Sequence, residues 1–354
     1  MLNEAHADIQ PPKDIQDKIN YPKLHLKDFD RKIFVVNSSK RYVDKIPIGS
    51  EILSINSIDI RQFLKDSIFP FISASTPQQL WNKGVYRALF GKKGTNITVQ
   101  INTPAGVRRK VIVKRAIDST DAVSPVKPWK AFSAKMIDSV SYIELNTFND
   151  ETIIGKVDSF LSNNNPKGLI LDIRENGGGS SNIGLEIIKR LTRSDIPELH
   201  WKSKMNISLF KNYISINRNS ISDFKYDGWY NWKLDTILKD TILNDFKGHI
   251  YEGPLIVLTS SSTVSAAEDF LVYLDQVRAY TQIGQITAGS TGESLYVNLT
   301  TGGKARVPSV HVTTPNDVEY VRKGIKPDIE IYPSVEEYIN KNDPVLIKAL
   351  KILK

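Results

Sequence analysis

The stretch SSSTVSAAEDF, from Ser260 to Phe270, sets four serines ahead of an apolar helical pattern. A serine hydroxyl is a weak nucleophile at neutral pH and needs an adjacent base. Ser265 stands where the helical pattern begins, and it has two readings. With Glu268 it spells Ser-x-x-Glu, a capping box that satisfies the free amides of a helix start. A serine at a strand-to-helix junction can also be a nucleophile, because the Ala266 N–H and the helix dipole favour negative charge there.

A second loop bears on the choice. The apolar run Leu169–Ile173 passes through Arg174 into Glu175-Asn176-Gly177-Gly178-Gly179. Glycines between a buried strand and a helix bring backbone close to a ligand and can turn N–H groups toward an anion. Such a loop by itself is more often a tight turn. Donors from Gly178 and Ala266 would form an oxyanion hole, where loss of one donor typically costs about 3 kcal/mol. Candidate bases are the five histidines: His6, His25, His200, His249 and His311. An imidazole titrates near ~6.5, which suits a general base.

The elements that must position these groups follow from periodicity. VSYIEL (Val140 to Leu145), KGLILDIR (Lys167 to Arg174) and GPLIVLTS read as strands, the last two as buried on both faces. ETIIGKVDSFLSN, SNIGLEIIKRLT and SAAEDFLVYLDQV read as helices between them, and this alternation predicts an α/β core. Ahead of it, β-type runs at Lys32–Val36, Ser50–Ile55, Asn96–Ile101 and Arg109–Arg115 surround a helical TPQQLWNKGVYRALF, with Leu80, Val85 and Leu89 in helical spacing. IPIGSEILSINSIDI followed by GTNITVQINTPAG resembles a PDZ-like domain, whose edge strand captures extended peptides. Ala116–Lys130 is a proline-punctuated linker. From 194 to 249 the chain is polar yet rich in aromatics, including Trp229 and Trp232, and is expected to be a lid or an irregular subdomain.

Composition narrows the class. The chain has 354 residues, 40% hydrophobic and 24% charged, as an ordinary globular protein has. The absence of cysteine excludes disulfide and thiolate chemistry. No apolar run is long enough to cross a bilayer. The net charge of +8 comes from scattered lysines without a nucleic-acid motif, so nucleic acid is not an expected partner. The amino terminus, MLNEAHADIQPPKD, lacks the basic and apolar regions of a signal peptide.

Four motifs in order, LILDIRENGGG, TVSAAEDF, GQITAGSTG and GIKPDIEI, resemble the serine peptidase family of tail-specific (C-terminal processing) proteases and the tricorn core protease. The resemblance spans Val140 to Lys354. It implies a crotonase-like (ClpP-like) catalytic core with the PDZ-like domain inserted: an amino-terminal core segment over 1–28, the PDZ-like domain over 29–117 and the peptidase core over 118–354. It makes Ser265 the nucleophile. Tail-specific members pair that serine with a lysine in Thr-x-Gly-Lys-Gly, but this chain has Thr287-Ala288-Gly289-Ser290. Tricorn-like members use a histidine ahead of the PDZ domain and a late glutamate. Those positions correspond to His6, with His311 as the fallback, and to Glu319, with Asp317 competing.

Two departures from tricorn are Ala5 where it carries serine and Ala266 where it carries aspartate. Relatives also carry a helical segment before the histidine, and this chain begins almost at it. The expected function is endopeptidase cleavage of unstructured polypeptide through an acyl-enzyme, with Trp229 and Trp232 contacting substrate and no metal or organic cofactor. The alternative is a catalytically silent relative that binds peptides or hydrophobic ligands. Family habit points to the periplasm or cell exterior. Oligomeric state is not readable.

Overall fold

In the Gly168–Asp172 and Leu255–Thr259 strands every residue is buried, as a continuous apolar run covered on both faces requires. Period two sends Leu169, Leu171 and Val257 to one face and Ile170, Ile256 and Leu258 to the other. These strands form the middle of a sheet ordered Phe132–Ile137, Val140–Leu145, Gly168–Asp172, Leu255–Thr259, Thr281–Gly284, Ile329–Glu330. The first pair is antiparallel and the rest are parallel. The computed structural model describes residues 4–116, 129–204, 234–237 and 241–354.

Parallel neighbours need crossovers. Helices Thr152–Asn164, Ser181–Ile188 and Ala266–Val277 supply them and pack Val157, Leu161, Ile183, Ile187, Phe270 and Leu274 on one face of the sheet. The Pro344–Leu353 helix covers the other with Val345 and Ala349. The result is the α/β core expected from the alternating pattern.

A second sheet has its own core of Ile33, Val35, Ile52, Val99 and Ile101, packed with Val85 and Leu89. Its strands run Leu24–Phe29, Lys32–Ser38, Glu51–Ile55, Asn96–Asn102 and Arg108–Lys114, each antiparallel to the next. The first of these begins within the segment assigned above to 1–28 and ends at Phe29. A two-residue turn at Asp30 and Arg31, both left-handed at φ 50° and 59°, folds Leu24–Phe29 back onto Lys32–Ser38. The helix Pro77–Arg87 starts at Thr76, whose side chain accepts from Gln79 N–H. Gln79 rather than Leu80 takes the buried position in its first turn, because its Oε1 accepts from Ser75 N–H at 2.8 Å.

A smaller sheet brings the chain's beginning to its last third. Asp8–Gln10 pairs with Lys304–Pro308, which pairs with Ser294–Asn298. Arg306 fastens it, donating to the Ala5 carbonyl at 2.7 Å and to Asp8 at 2.6 Å. Among the described residues, no helix is long and apolar enough to cross a membrane.

Candidate active site

The four serines of the opening stretch separate by hydrogen bonding. Ser260 Oγ donates to the Arg174 carbonyl at 2.5 Å, while Ser261 and Ser262 Oγ accept from Asn82 at 3.2 and 2.9 Å. Ser265 Oγ has no partner among the described residues, and it makes no cap bond to the Ala266–Val277 helix. The capping box does not form, because the Glu268 carboxylate points instead into the 287–290 loop. Ser265 itself sits at φ 62°, ψ −130°, a conformation that side chains strongly disfavour. Its N–H donates to the Ser290 carbonyl at 2.7 Å, and its own carbonyl accepts from Glu268 and Asp269 N–H at 2.7 and 3.1 Å. The junction is locked, with the hydroxyl left uncommitted.

His6 reaches the same place from the other end of the chain. Its Nδ1 lies 2.7 Å from Ser290 Oγ, and Ser294 Oγ donates to its carbonyl at 3.2 Å. Ala5 and Ala7 on either side are buried, and Ala5 N–H donates to Ser75 Oγ at 3.0 Å. Glu4 completes the cluster. Its Oε1 accepts from Ser290 Oγ at 3.3 Å, from Ser75 Oγ at 3.0 Å and from His6 N–H at 3.2 Å, and lies 3.7 Å from His6 Nδ1. Burial works against the Glu4 carboxylate, but hydrogen bonds from His6 and Ser75 outweigh it and hold the group below its ordinary value. Ser290 thus contacts the imidazole. Neither Glu4 nor Ser290 was picked out by spacing, although Glu4 lies two residues from His6 and Ser290 was noted only for not being lysine.

The two expected oxyanion donors differ in state. Ala266 N–H has no acceptor among the described residues. Gly178 N–H is already donated to Asn176 Oδ1 at 2.9 Å, so this structure offers one free donor of the expected pair. Gly178 serves the site by size. It sits at φ +90°, and a Cβ there would lie 2.7 Å from Ser265 Cβ and 3.2 Å from Ala266 N.

Glu319 is not hydrogen-bonded to His6. Its Oε1 lies 3.0 Å from His311 Nε2 in an exposed pair, while its neighbour Tyr320 takes the inward position and donates to Asp269 at 2.9 Å. Asp317 pairs with His200 at 3.0 Å and Lys202 at 2.8 Å. Neither acid is hydrogen-bonded to His6, and His311, the fallback base, is held in the exposed Glu319 pair. Trp229 and Trp232 lie outside the described residues. No group of three or more His, Cys, Asp or Glu suited to a metal ion occurs among the described residues.

Residues 139–331, more than half of the chain, match the model of peptidase family S41, and the chain belongs to that family of serine-type peptidases. It is 26% identical over 199 residues to the chloroplastic C-terminal processing peptidase of Tetradesmus obliquus, covering 55% of this chain and 36% of that protein. It is 25% identical over 268 residues to the carboxy-terminal processing protease CtpB of Bacillus subtilis (strain 168), covering 74% of this chain and 47% of CtpB. The chain therefore spans less than half the length of either curated relative. Its fold is similar to that of mature CPAF, with a TM-score of 0.75 at 15% identity over 100% of this chain and 84% of that one. Mature CPAF complexed with lactacystin gives 0.72 at 16% identity, covering 100% and 85%.

Proposed function

We propose that this chain is a serine endopeptidase with a crotonase-like core and an inserted PDZ-like domain. The observation that carries the reading is Ser265: a serine in a glycine-favoured backbone conformation, its hydroxyl unspent, beside the cluster that holds His6. Backbone strain of this kind gathers at functional sites, active sites among them.

In the proposed reaction His6 Nε2 takes the Ser265 proton as Oγ bonds the scissile carbonyl carbon. The carbonyl oxygen becomes an oxyanion at the Ala266 N–H. His6 then gives its proton to the leaving amine as the C–N bond breaks. Water attacks the resulting ester as His6 accepts its proton; His6 then returns that proton to Ser265 Oγ as the Oγ–C bond breaks, and the acid product leaves. Ser290 O–H donates to Glu4, which leaves Ser290 Oγ to accept from His6 Nδ1–H and fixes the tautomer with Nε2 unprotonated. Glu4 and Ser290 then fill the orienting role expected of Glu319. The substrate class is extended polypeptide, in the periplasm or cell exterior, presented by the PDZ-like domain.

Fluorophosphonate labelling followed by mass spectrometry tests this. The expected adduct is on Ser265 in the wild type and absent in His6→Ala. No adduct on well-folded wild type would sink the reading. Ser290→Ala is expected to lower kcat by about 10- to 100-fold with KM within about twofold, because it loosens the imidazole without touching substrate. Steady-state kinetics on one peptide decides that point.

A further inference from the structure

The Ala266–Val277 helix carries two fully buried carboxyls, Glu268 and Asp269, that the proposed reaction does not use. Glu268 Oε1 accepts from Thr287 Oγ1 and from Gly289 N–H at 2.7 Å, and Oε2 accepts from Ser290 N–H at 2.8 Å. Thr287 Oγ1 also accepts from Ile325 N–H at 2.7 Å, which leaves its proton free to go to an ionised Glu268. The two amides can only donate, and with the Thr287 hydroxyl donating as well the set matches an ionised carboxylate.

The residue held by Oε2 is the junction of the site. Ser290 presents its Oγ to His6 Nδ1 and its carbonyl to Ser265 N–H. We propose that Glu268 is a positioning residue: its ionised carboxylate clamps the 287–290 loop and, through Ser290, sets His6 against Ser265. This rests on the Ser265–His6 reading above.

Asp269 braces different segments. It accepts from Ser181 at 2.7 Å, Thr291 at 2.6 Å and Tyr320 at 2.9 Å, and leaves the Gly289 and Ser290 amides to Glu268. Burial pushes Glu268 up to about 7. The bonds from Thr287, Ser290 and Gly289 oppose that rise, and Asp269 adds to it. The titratable groups around the clamp are Asp269 on the same helix, Tyr320 from the loop before Gly324, and His6 and Glu4 beyond Ser290. As pH falls through about 7 the carboxyl gains a proton, the bonds from the two amides lose their charge assistance, and the clamp weakens.

Glu268→Gln keeps the shape, removes the charge and sets an NH2 group against one of the two amide donors. The experiment measures the rate of Ser265 acylation by a small fluorophosphonate in the full chain, wild type and variant, with the adduct located by mass spectrometry. At about pH 9 the variant is expected to be about 10- to 100-fold slower, with peptide KM within about twofold. At about pH 6 the ratio is expected to fall toward 1, since the wild type is then protonated as well. Equal rates at the higher pH, or a ratio that stays constant with pH, would overturn the positioning role while leaving Ser265 as nucleophile. A folded wild type that takes no label at Ser265 would overturn both readings. If Glu268→Gln fails to fold, Thr287→Val removes one donor and leaves the acid. It is expected to slow acylation about 3- to 10-fold, and an unchanged rate overturns the proposal.

Discussion

Ser265→Gly is expected to abolish peptide hydrolysis and at the same time to make the protein more stable than Ser265→Ala. The loss of activity follows from the nucleophile: deleting it in a site of this kind costs on the order of 10⁴- to 10⁶-fold in kcat. The gain follows from the backbone. At φ 62°, ψ −130° the residue sits where the first central residue of a type II′ turn sits, a place dominated by glycine. A side chain there costs about 1–3 kcal/mol, and alanine keeps that cost because it keeps the Cβ. Glycine removes it but loses about 0.5–1 kcal/mol to the freer unfolded chain, so a net gain of about 1 kcal/mol over alanine remains. Equilibrium unfolding of the two variants measures the difference. If Ser265→Gly is no more stable than Ser265→Ala, the junction is not strained, and the strongest observation for a catalytic serine is lost.

The legible part of this molecule is the part that short-range chemistry dictates. Strands buried on both faces must be continuously apolar, so Gly168–Asp172 and Leu255–Thr259 could be read directly, and the junctions that follow them with the strands. The pairing of polar groups across long sequence separations has no such local signature. Glu4 and Ser290 meet over 286 positions, and nothing near either of them encodes the other. Between Glu319 and Tyr320 a motif could not tell which side chain turns inward; the buried Asp269 takes the tyrosine. The Gly178 amide is spent on Asn176, two residues away, a local bond that competes with the role the glycine loop implied. The hairpin at Asp30–Arg31 went unread because it adopts two left-handed residues without the Asn-Gly or Asp-Gly that marks such turns.

Arg174→Met is expected to cost about 3–5 kcal/mol of stability. The guanidinium joins two carboxylates. It donates to Asp172 from Nε at 2.9 Å and Nη2 at 2.6 Å, and to Asp343 from Nη1 at 3.0 Å and Nη2 at 2.6 Å. Burial opposes charge on Asp172, yet Arg174 and the Tyr142 hydroxyl, 2.6 Å away, hold its carboxyl below the usual range. Methionine would leave that carboxylate buried without its cation, which is why removing one member costs more than the group ever contributed. Asp172→Asn in the same chain is therefore expected to recover part of the loss.

A depressed carboxyl contributes stability that is present above its unfolded value and is lost as pH falls through the folded one. The gap between wild type and Arg174→Met should accordingly narrow as pH falls. The narrowing starts above the usual carboxylate range, where burial without a cation makes Asp172 of the variant take up a proton, and continues down through the depressed wild-type value. Denaturant unfolding across pH reads both effects, and a gap that stays constant into acid would remove the ion pair as its cause. The consequence reaches the site. Asp343 also caps the Pro344–Leu353 helix through Val345 and Leu346 N–H, and the Arg174 carbonyl receives Ser260 Oγ at the head of the loop that ends in Gly178. The same guanidinium thus pins the helix on one face of the sheet and the entry to the glycine loop beside Ser265. A variant still folded at the assay temperature is expected to lose about tenfold in kcat, because the loop that must sit against the nucleophile is no longer held at its start.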